Sequence, residues 1–332
     1  MHRLRRVLHS IRWREALSNS SRMQIYRSAA KVNLTLDVLS RRRDGYHELQ
    51  SVVHTVGLWD VLSFDFDYAP GFAFHCNRPE LETPDNLCLK AARAWLDVAE
   101  NYGVVVFPGV SITLHKNIPT GAGLGGGSGN AAATLLALNR HFREVVPERT
   151  MARIAAHLGA DVPLFLRGGC ALLEGIGERL TPLPALDGWL VIVQPPAGLS
   201  TPAVYAKWDT LTASSAVRTP ARSAALVKAV KACDLMGVAK GLHNDLRHAA
   251  QTWNIGIGSL IEMLRDAGAL GAEMTGSGSA VFGLFQDEPA ARRAGRQVAA
   301  QLNDPGAAKA GHRIMVEPFC ATGVGFMVED DT

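Results

Sequence analysis

The sequence lacks the features that would place a chain in a membrane, in a disulfide-stabilised fold or on nucleic acid. No run of apolar residues approaches the ~18 that a membrane-spanning helix needs. The net charge is only +3, so we expect neither nucleic acid nor a membrane surface as a partner. The five cysteines are dispersed without a C-x-x-C spacing, which favours reduced thiols over disulfides or a zinc site.

The small positive charge is concentrated at the N-terminus. Residues 1–23 carry six arginines and one glutamate, which leaves the rest of the chain at about −2. An arginine-rich amphipathic segment resembles an organelle transit sequence, but this one lacks the apolar core of a secretion signal. We favour a dispensable basic extension, with translation starting at Met23 as one form of that interpretation, and expect a cytoplasmic protein.

Length and composition predict two packed domains. A chain of 332 residues with 47% hydrophobic and 20% charged residues is typical of globular proteins. Strand and helix patterns are segregated rather than strictly alternating, which predicts α+β domains. Strands are expected at 32–39, 47–56 and 60–68, and a buried strand at 189–196 starts a different pattern. We therefore predict domains at 24–185 and 186–332.

Other local patterns predict individual elements of these domains. Asp44-Gly45 is a turn dipeptide that predicts a hairpin. Apolar periodicity predicts a helix at 130–142, and a segment poor in apolar residues predicts a loop at 212–223. A strand at 312–319 is expected to close the chain.

One stretch is unusually rich in glycine. In "PTGAGLGGGSGNAAATLLALNRHF", residues 119–142, six of the nine residues from 121 to 129 are glycine, and an alanine-rich helix follows. The G-x-G-x-x-G spacing is a weak match to a dinucleotide fingerprint, because a second helix follows where a strand with an acidic end is required. The chain contains no Gly-Lys pair, which excludes a Walker A loop.

The physical basis of phosphate binding still applies to this loop. Glycines let backbone N–H groups converge, and the following helix N-terminus attracts anions. A glycine-rich turn that only allows close helix packing is the alternative, but six glycines exceed what a turn requires. Ser128 is suited to N-capping or to a phosphate-bound Mg²⁺.

Two charged residues in apolar surroundings are candidates for chemistry. Asp161, in "LGADVPLF", is either a helix N-cap or a functional carboxylate, and the residues alone do not choose between them. Lys31 interrupts the small, apolar run "SAAKVNL" and could be an ordinary strand-edge lysine. Asn33 lies two residues further on, hence on the same strand face as Lys31.

Three segments resemble the GHMP kinases: "SAAKVNLTLDV", "PTGAGLGGGSGNAA" and "EMTGSGSAVFGLF". The resemblance covers about residues 27–320 and implies an α+β fold with an N-terminal ribosomal-S5-like domain and a C-terminal ferredoxin-like α/β sandwich domain. "AAKVNLTLDVLSRRRDGYHELQSVV" and "LGADVPLFLRGGCALLEGIGE" further resemble the branch that phosphorylates a cytidine diphosphate-linked polyol. Its substrate is 4-diphosphocytidyl-2-C-methyl-D-erythritol, of the non-mevalonate route to isoprenoid precursors. One departure is Gly129, where the family usually has a second serine.

The resemblance implies roles for particular residues, with ATP and Mg²⁺ as cofactors. Lys31 and Asp161 correspond to a catalytic pair in which the lysine holds the carboxylate ionised and polarises the acceptor hydroxyl. Nucleotide binding is implied for Asn86 and Lys116 on the adenine side, and for the loop residues Pro119, Thr120, Gly121, Ala122, Gly123, Leu124, Gly125, Gly126, Gly127, Ser128 and Gly129.

Substrate binding is implied for Asn33, Tyr46, His47, Thr201 and Tyr205. Tyr46 and Tyr205 would stack on opposite faces of the cytosine, at ~1–3 kcal/mol per stacked base, and His47 would bind its polar edge.

Simpler interpretations stand beside these implied roles. Asn86 could be only a helix N-cap, Lys116 a surface lysine, and Tyr46 and His47 flanks of a hairpin. Residues 41–43, three arginines, are interpreted as a solvated hairpin tip that could instead steer an anionic substrate.

Three alternative functions remain at this level. The nearest is another GHMP small-molecule kinase of the homoserine or mevalonate type, which has no use for a cytidine clamp. A catalytically silent nucleotide or sugar sensor would not need both Lys31 and Asp161. An NAD-dependent oxidoreductase rests only on the weak glycine match. We expect a monomer or weak homodimer that binds small molecules.

Overall fold

The computed structural model describes residues 23–66, 70–104, 109–212, 222–253, 256–302 and 311–329. Residues 1–22 of the basic extension predicted at 1–23, and most of the predicted loop at 212–223, lie outside these residues. Among the described residues, each helix is too short or too polar to cross a bilayer.

Strands and helices alternate irregularly along the chain. The strands are β1 Met23–Asn33, β2 Thr35–Arg41, β3 His47–Asp65, β4 Phe72–Cys76, β5 Val110–His115, β6 Cys170–Gly175, β7 Arg179–Leu183, β8 Trp189–Gln194, β9 His243–Asn244, β10 Gly271–Met274, β11 Val281–Phe285, β12 Arg313–Pro318 and β13 Val324–Glu329. The helices are α1 Leu87–Ala99, α2 Gly126–His141, α3 Glu148–Leu158, α4 Val162–Arg167, α5 Thr201–Thr212, α6 Ser223–Lys231, α7 Leu235–Gly241, α8 Arg247–Gln251, α9 Gly256–Asp266 and α10 Glu288–Leu302.

The described strands form two sheets. The first has nine strands with the central order β13-β1-β3-β2-β9, and β4 to β7 extend it through β5 and β6, which pair with β3. The second has the order β10-β11-β8-β12 and is antiparallel throughout. The two sheets and the helices that accompany them confirm the α+β prediction. In chain order, β8 is the first strand of the second sheet. The later strand β13 pairs with β1 in the first sheet, so a single domain boundary at 185 stays a prediction.

The hairpin around Asp44-Gly45 is confirmed, because β2 and β3 pair in antiparallel register on either side of it. Two details of the first sheet differ from the prediction. Residues 47–56 and 60–68 were expected as two strands, but 47–65 form the single strand β3. The strand expected at 32–39 is interrupted at Leu34, between β1 and β2. Strand β3 accommodates its length through a register shift opposite Ala29 and Ala30.

The three largest apolar clusters among the described residues hold the layers together. In the first, α1, α2 and α3 pack on one face of the first sheet around the fully buried rings of Trp95 and Phe64. Alanines at 131–133 are fully buried, so α2 approaches the sheet closely. In another, α9 and α10 cover the second sheet. The remaining cluster joins residues of both sheets, among them Val32 and Phe282, and so fixes one sheet against the other.

Helix α5 and strand β13 are among the elements that were not predicted. Helix α5 occupies 201–212, where "TPAVYAKWDTLT" has no strong apolar periodicity and only Val204 is buried. Strand β13 follows the expected final strand, confirmed as β12, and pairs with β1 about 300 residues away in sequence.

Candidate active site

A cavity of about 950 Å³ lies where β1, the glycine loop, helix α5 and the turn at 275–279 meet. Backbone hydrogen bonds join these segments: Lys31 N donates to Leu124 O at 2.9 Å, and Ala280 N donates to Ala122 O at 3.3 Å. The predicted site residues that line the cavity are Lys31, Asn33, Tyr46, His47, Asn86, Lys116, Pro119, Thr120, Gly121, Ala122, Gly123, Leu124, Gly125, Gly126, Gly127, Ser128, Asp161, Thr201 and Tyr205.

The glycine loop is folded tightly against both sheets, and glycine is required at two of its positions. Gly123 and Gly125 have φ values of 77° and 71°, a region that side chains with a Cβ rarely adopt. A Cβ on Gly123 would overlap the carbonyl oxygen of Thr275, and one on Gly125 would lie 2.9 Å from Cγ of Lys31. The loop therefore contacts Lys31 on β1 and the turn at 275–279, "TGSGS", which is the second glycine motif of the chain.

Helix α2 points its N-terminus into this cavity. It begins at Gly126 with Gly125 as its N-cap, so Ser128 lies in the first turn and the N-cap interpretation of Ser128 is wrong. The N–H groups of a first turn have no partner within the helix, and they carry its positive dipole end. The loop and helix start therefore form an anion-binding surface built from backbone donors.

Gly129, the position that departs from the family pattern, faces β1. A Cβ there would lie 3.0 Å from the Ala29 carbonyl oxygen and 3.3 Å from Cβ of Ser28. In the described part of the chain, Gly129 is not among the residues that line the cavity. Its smallness serves the packing of α2 on the sheet.

Lys31 and Asp161 face each other at the cavity wall, with Nζ 3.5 Å from Oδ2. Lys31 Nζ also donates to Asn33 Oδ1 at 2.6 Å, and Asn33 Nδ2 donates to Ser51 Oγ at 2.8 Å. This chain of contacts holds a nearly buried ammonium in place. The shared strand face predicted for Lys31 and Asn33 is confirmed by their contact.

Asp161 occupies the N-cap position of α4, yet among the described residues its side chain makes no capping hydrogen bond. The N-cap interpretation of this carboxylate is therefore wrong. Its side chain is 30% exposed, against 5% for Lys31. A partly exposed carboxylate beside a fixed ammonium can orient a hydroxyl group and accept its proton.

Aromatic side chains form another part of the cavity wall, apart from the glycine loop and the Lys31–Asp161 pair. The His47 ring stacks on Tyr205, with centroids 4.8 Å apart and an interplanar angle of 28°. Burial raises the pKa of the Tyr205 phenol, and the negative charge of Asp161 acts in the same direction. Tyr46 is 63% exposed at the rim. Because His47 occupies one face of Tyr205, the cytosine clamp between Tyr46 and Tyr205 stays a prediction.

The remaining substrate-side residue, Thr201, is joined to the second glycine motif. Its Oγ1 lies 2.7 Å from Ser277 Oγ, a hydrogen bond between α5 and the turn at 275–279. Asn244 holds the same turn by donating to the carbonyl oxygens of Met274 and Gly276, at 2.9 and 2.8 Å. Ser277 lies in "EMTGSGSAVFGLF", one of the segments that resemble the family, but it was not predicted as a site residue. Asn244 was not predicted because it lies in a segment without a pattern that indicates contact with the loop.

The two residues expected on the adenine side have well-defined partners. Asn86 caps α1, since its Oδ1 accepts from Cys88 N at 2.9 Å, and it also lines the cavity. Lys116 is buried and forms an ion pair with the fully buried Asp60, so the surface-lysine interpretation is wrong. Its Nζ lies beside Gly126, at the start of α2.

The arginines at the hairpin tip divide between solvent and site. Arg42 pairs with Asp44 at 3.0 Å and with Glu48 at 3.4 Å, on the exposed hairpin. Arg41 lines the cavity and lies 3.4 Å from Asp209 on α5. The solvated interpretation fits Arg42, whereas Arg41 belongs to the cavity wall.

Comparison with known proteins assigns this chain to a family. Family models for the "GHMP kinases N terminal domain" and "GHMP kinases C terminal" match residues 86–169 and 226–304. A 4-diphosphocytidyl-2-C-methyl-D-erythritol kinase from Caldanaerobacter subterraneus subsp. tengcongensis is 40% identical over 260 residues, which is 78% of this chain and 86% of the relative. The chain belongs to the 4-diphosphocytidyl-2-C-methyl-D-erythritol kinase family of GHMP kinases.

Further relatives agree with this assignment. The kinase of the same name from Moorella thermoacetica is 41% identical, over 79% of this chain and 90% of the relative. A crystal structure of a 4-(cytidine 5'-diphospho)-2C-methyl-D-erythritol kinase matches with a TM-score of 0.69 at 33% identity, covering 89% of this chain and 98% of the other. Homoserine kinase from Cytophaga hutchinsonii, at 17% identity and a TM-score of 0.73 over 93% and 98% of the two chains, shares the fold. The chain is therefore a kinase that uses ATP.

Proposed function

We propose that this kinase transfers the γ-phosphoryl group of ATP to the 2-hydroxyl of 4-diphosphocytidyl-2-C-methyl-D-erythritol, giving the 2-phosphate and ADP. The reaction belongs to the non-mevalonate route to isoprenoid precursors. The observation that carries the proposal is the position of the Lys31–Asp161 pair, between a backbone anion-binding loop and an aromatic wall in one cavity.

The described residues have distinct tasks in this transfer. The loop and the start of α2 hold the phosphates of ATP through backbone N–H groups. The oxygen of the substrate 2-hydroxyl bonds to the γ-phosphorus, and Asp161 accepts the proton of that hydroxyl. At the same time, the bond between the γ-phosphorus and the β–γ bridging oxygen breaks, and ADP leaves. Lys31 holds the Asp161 carboxylate in position and stabilises negative charge on the acceptor oxygen.

Mg²⁺ is part of this proposal, and the donor groups fit it. Among the described residues, no cluster of three or more His, Cys, Asp or Glu side chains could hold a metal ion. This suits a Mg²⁺ carried mainly by phosphate oxygens and water, which needs few protein ligands. The Ser128 hydroxyl and the Asp161 carboxylate are the groups we expect to contact it. When bound, the ion would neutralise charge on the phosphates.

The acceptor is assigned through the aromatic wall. A homoserine or mevalonate acceptor offers no ring to stack on Tyr46 or Tyr205, and no polar ring edge for His47. We propose a cytoplasmic location because the five cysteines are all free thiols in the described structure, as expected in a reducing compartment. A monomer or weak homodimer remains our prediction.

A coupled ADP-release assay tests the function. The protein is given ATP and Mg²⁺ with 4-diphosphocytidyl-methylerythritol, homoserine, mevalonate or no acceptor. We expect ADP only with the cytidyl substrate. Release with another acceptor would keep the kinase and reject the cytidine clamp, and ATP binding without release for any acceptor would favour the silent sensor.

A further inference from the structure

One face of helix α5 is built around the His47 side chain. Tyr205, Trp208 and Asp209 are spaced at i, i+3 and i+4, so they share a face. Tyr205 stacks on the imidazole, and Trp208 meets its edge with centroids 5.7 Å apart at 89°. Asp209 Oδ1 lies 2.7 Å from His47 Nε2. The ring, which is 9% exposed, is thus fixed in position and in rotation.

The contact with Asp209 also selects where the imidazole carries its proton. An ionised carboxylate can only accept, so Nε2 of His47 is the nitrogen that bears hydrogen. Among the described residues, no hydrogen bond reaches Nδ1, and His47 lines the cavity. In the neutral ring this nitrogen is therefore a hydrogen-bond acceptor for a ligand.

Arg41 fixes the carboxylate from its other side. Its Nη1 lies 3.4 Å from Asp209 Oδ2, while Oδ1 faces His47. The two carboxylate oxygens therefore have different partners, a guanidinium and an imidazole. Asp209 lies 22% exposed between them.

We propose that Asp209 is a positioning residue that makes His47 select cytosine over uracil. This inference rests on the proposed function. With Nε2 protonated, Nδ1 accepts a hydrogen bond from the 4-amino group of cytosine. Uracil carries a carbonyl oxygen at that position, so two acceptors would face each other and the polar groups would be left unpaired. The selection resides in the tautomer of His47, and Asp209 sets the tautomer.

The substitution Asp209→Asn tests this by reversing the tautomer. Arg41 can only donate, so the amide oxygen of the new side chain faces Arg41 and its NH₂ group faces His47. Nε2 must then accept, and Nδ1 becomes the N–H donor. The kcat/KM ratio for cytidine over uridine diphosphate-linked methylerythritol is measured in both proteins. We expect the ratio to fall roughly 10- to 100-fold in the variant.

The imidazole ¹⁵N chemical shifts of His47 provide the second readout, which a merely structural role would not move. We expect the Nε2–H tautomer in the unaltered protein and the Nδ1–H tautomer in the variant. An unchanged substrate ratio, or a reduced ratio without a change of tautomer, would overturn the proposal. So would a His47 in the unaltered protein that carries hydrogen on Nδ1, and this measurement decides the matter even where the variant does not fold.

Asp266→Asn is the matched control, since it removes an exposed carboxylate on α9 that does not line the cavity. It should leave the ratio and the His47 signals unchanged. The outcome is distinct from that of the proposed function. Failure of the unaltered protein to phosphorylate the cytidyl substrate rejects the function, whereas activity with an unchanged ratio in Asp209→Asn rejects only this inference.

Discussion

Two ionic pairs are attached to β1 and β2, the strands on either side of β3 in the first sheet, and they differ in how many hydrogen bonds their carboxylates accept. Lys31, on β1, lies 3.5 Å from an Asp161 carboxylate that is 30% exposed and makes no capping bond among the described residues. Asp37, on β2, is fully buried beside His243, with Oδ1 2.7 Å from Nε2. Its Oδ2 accepts from Ser223 N at 3.0 Å and from Ser223 Oγ at 2.6 Å.

The pKa values follow from these surroundings. Burial alone would raise the pKa of Asp37, but hydrogen bonds from His243 and Ser223 lower it to about 2. Burial alone would lower the pKa of His243, but Asp37 raises it above its ordinary value. A buried carboxylate with every oxygen bonded holds β2 to α6 and β9, whereas a carboxylate with room in a cavity is available to a substrate. The hydrogen bonds that the carboxylate oxygens accept, rather than the charge alone, distinguish the structural pair from the reactive pair.

The largest effect is expected from Asp161→Asn. The amide cannot take the hydroxyl proton, so kcat should fall by about 10²–10⁴-fold. The melting temperature should change little, because the carboxylate is partly exposed and caps no helix. The ADP-release assay with the cytidyl substrate measures the loss, and Asp266→Asn serves as the control. A variant with more than a tenth of the normal kcat would remove Asp161 from the chemistry.

The opposite result is expected from Asp37→Asn. It leaves the half-buried His243 without the fully buried carboxylate that is its charged partner, and breaking a buried ion pair costs about 3–5 kcal/mol. Urea unfolding should show this loss, while kcat of the folded fraction stays within about threefold. A stable but inactive variant would contradict the division between the two pairs.

The pH dependence of stability should carry the signature of the structural pair. The pKa of His243 is raised on folding, so its contribution is complete below the unfolded value near 6.5 and is lost as pH rises through the folded value. The pKa of Asp37 is lowered, so its contribution is complete above 3.8 and is lost as pH falls towards about 2. Both contributions are therefore full between pH 3.8 and 6.5.

The substitution His243→Gln isolates the contribution of the His243–Asp37 ion pair to stability. Relative to the unaltered protein, the variant should lose most melting temperature inside that window and progressively less as pH rises above it. Thermal scans from pH 5 to 9 measure the difference between the two proteins. A difference that grows with pH would mean that His243 is not held charged by Asp37.

The smallest effect is expected from Gly129→Ser, which restores the serine usual in the family. The new Cβ would crowd the Ala29 carbonyl oxygen in β1, which sheet pairing holds in place. Overpacking of ~1–3 kcal/mol outweighs the gain of up to ~1 kcal/mol from replacing a helical glycine. We expect a net loss of about 1 kcal/mol in urea unfolding and no increase in kcat. A clear rise in kcat would show that a second hydroxyl at this position acts in catalysis.

Features that depend on short-range pattern were predictable. The two-residue spacing of Lys31 and Asn33 placed both on one face, and the glycine loop indicated phosphate by its backbone freedom. Asp161 was identified as a candidate, but only its geometry in the fold separates a helix cap from a base. For such residues the sequence limits the choices and packing decides.

Long-range partners were not predictable. Asp60 neutralises Lys116 across 56 positions in sequence, and β13 reaches β1 from the far end of the chain, with no local signal for either contact. Helix α5 did offer a signal, because Thr201-Pro202 is a typical helix start. Read as a helix, "YAKWD" would have placed Tyr205 and Asp209 on one face.

The measurement that tests the central claim most directly is the ³¹P NMR spectrum of the phosphorylated cytidyl product. The account predicts phosphate on the 2-oxygen, which is attached to a tertiary carbon, so the new signal should show no coupling to a proton on the carbinol carbon. A doublet would indicate transfer to the secondary 3-hydroxyl, and a triplet transfer to the primary 1-hydroxyl. Either of these would contradict the placement of the 2-hydroxyl between Lys31 and Asp161.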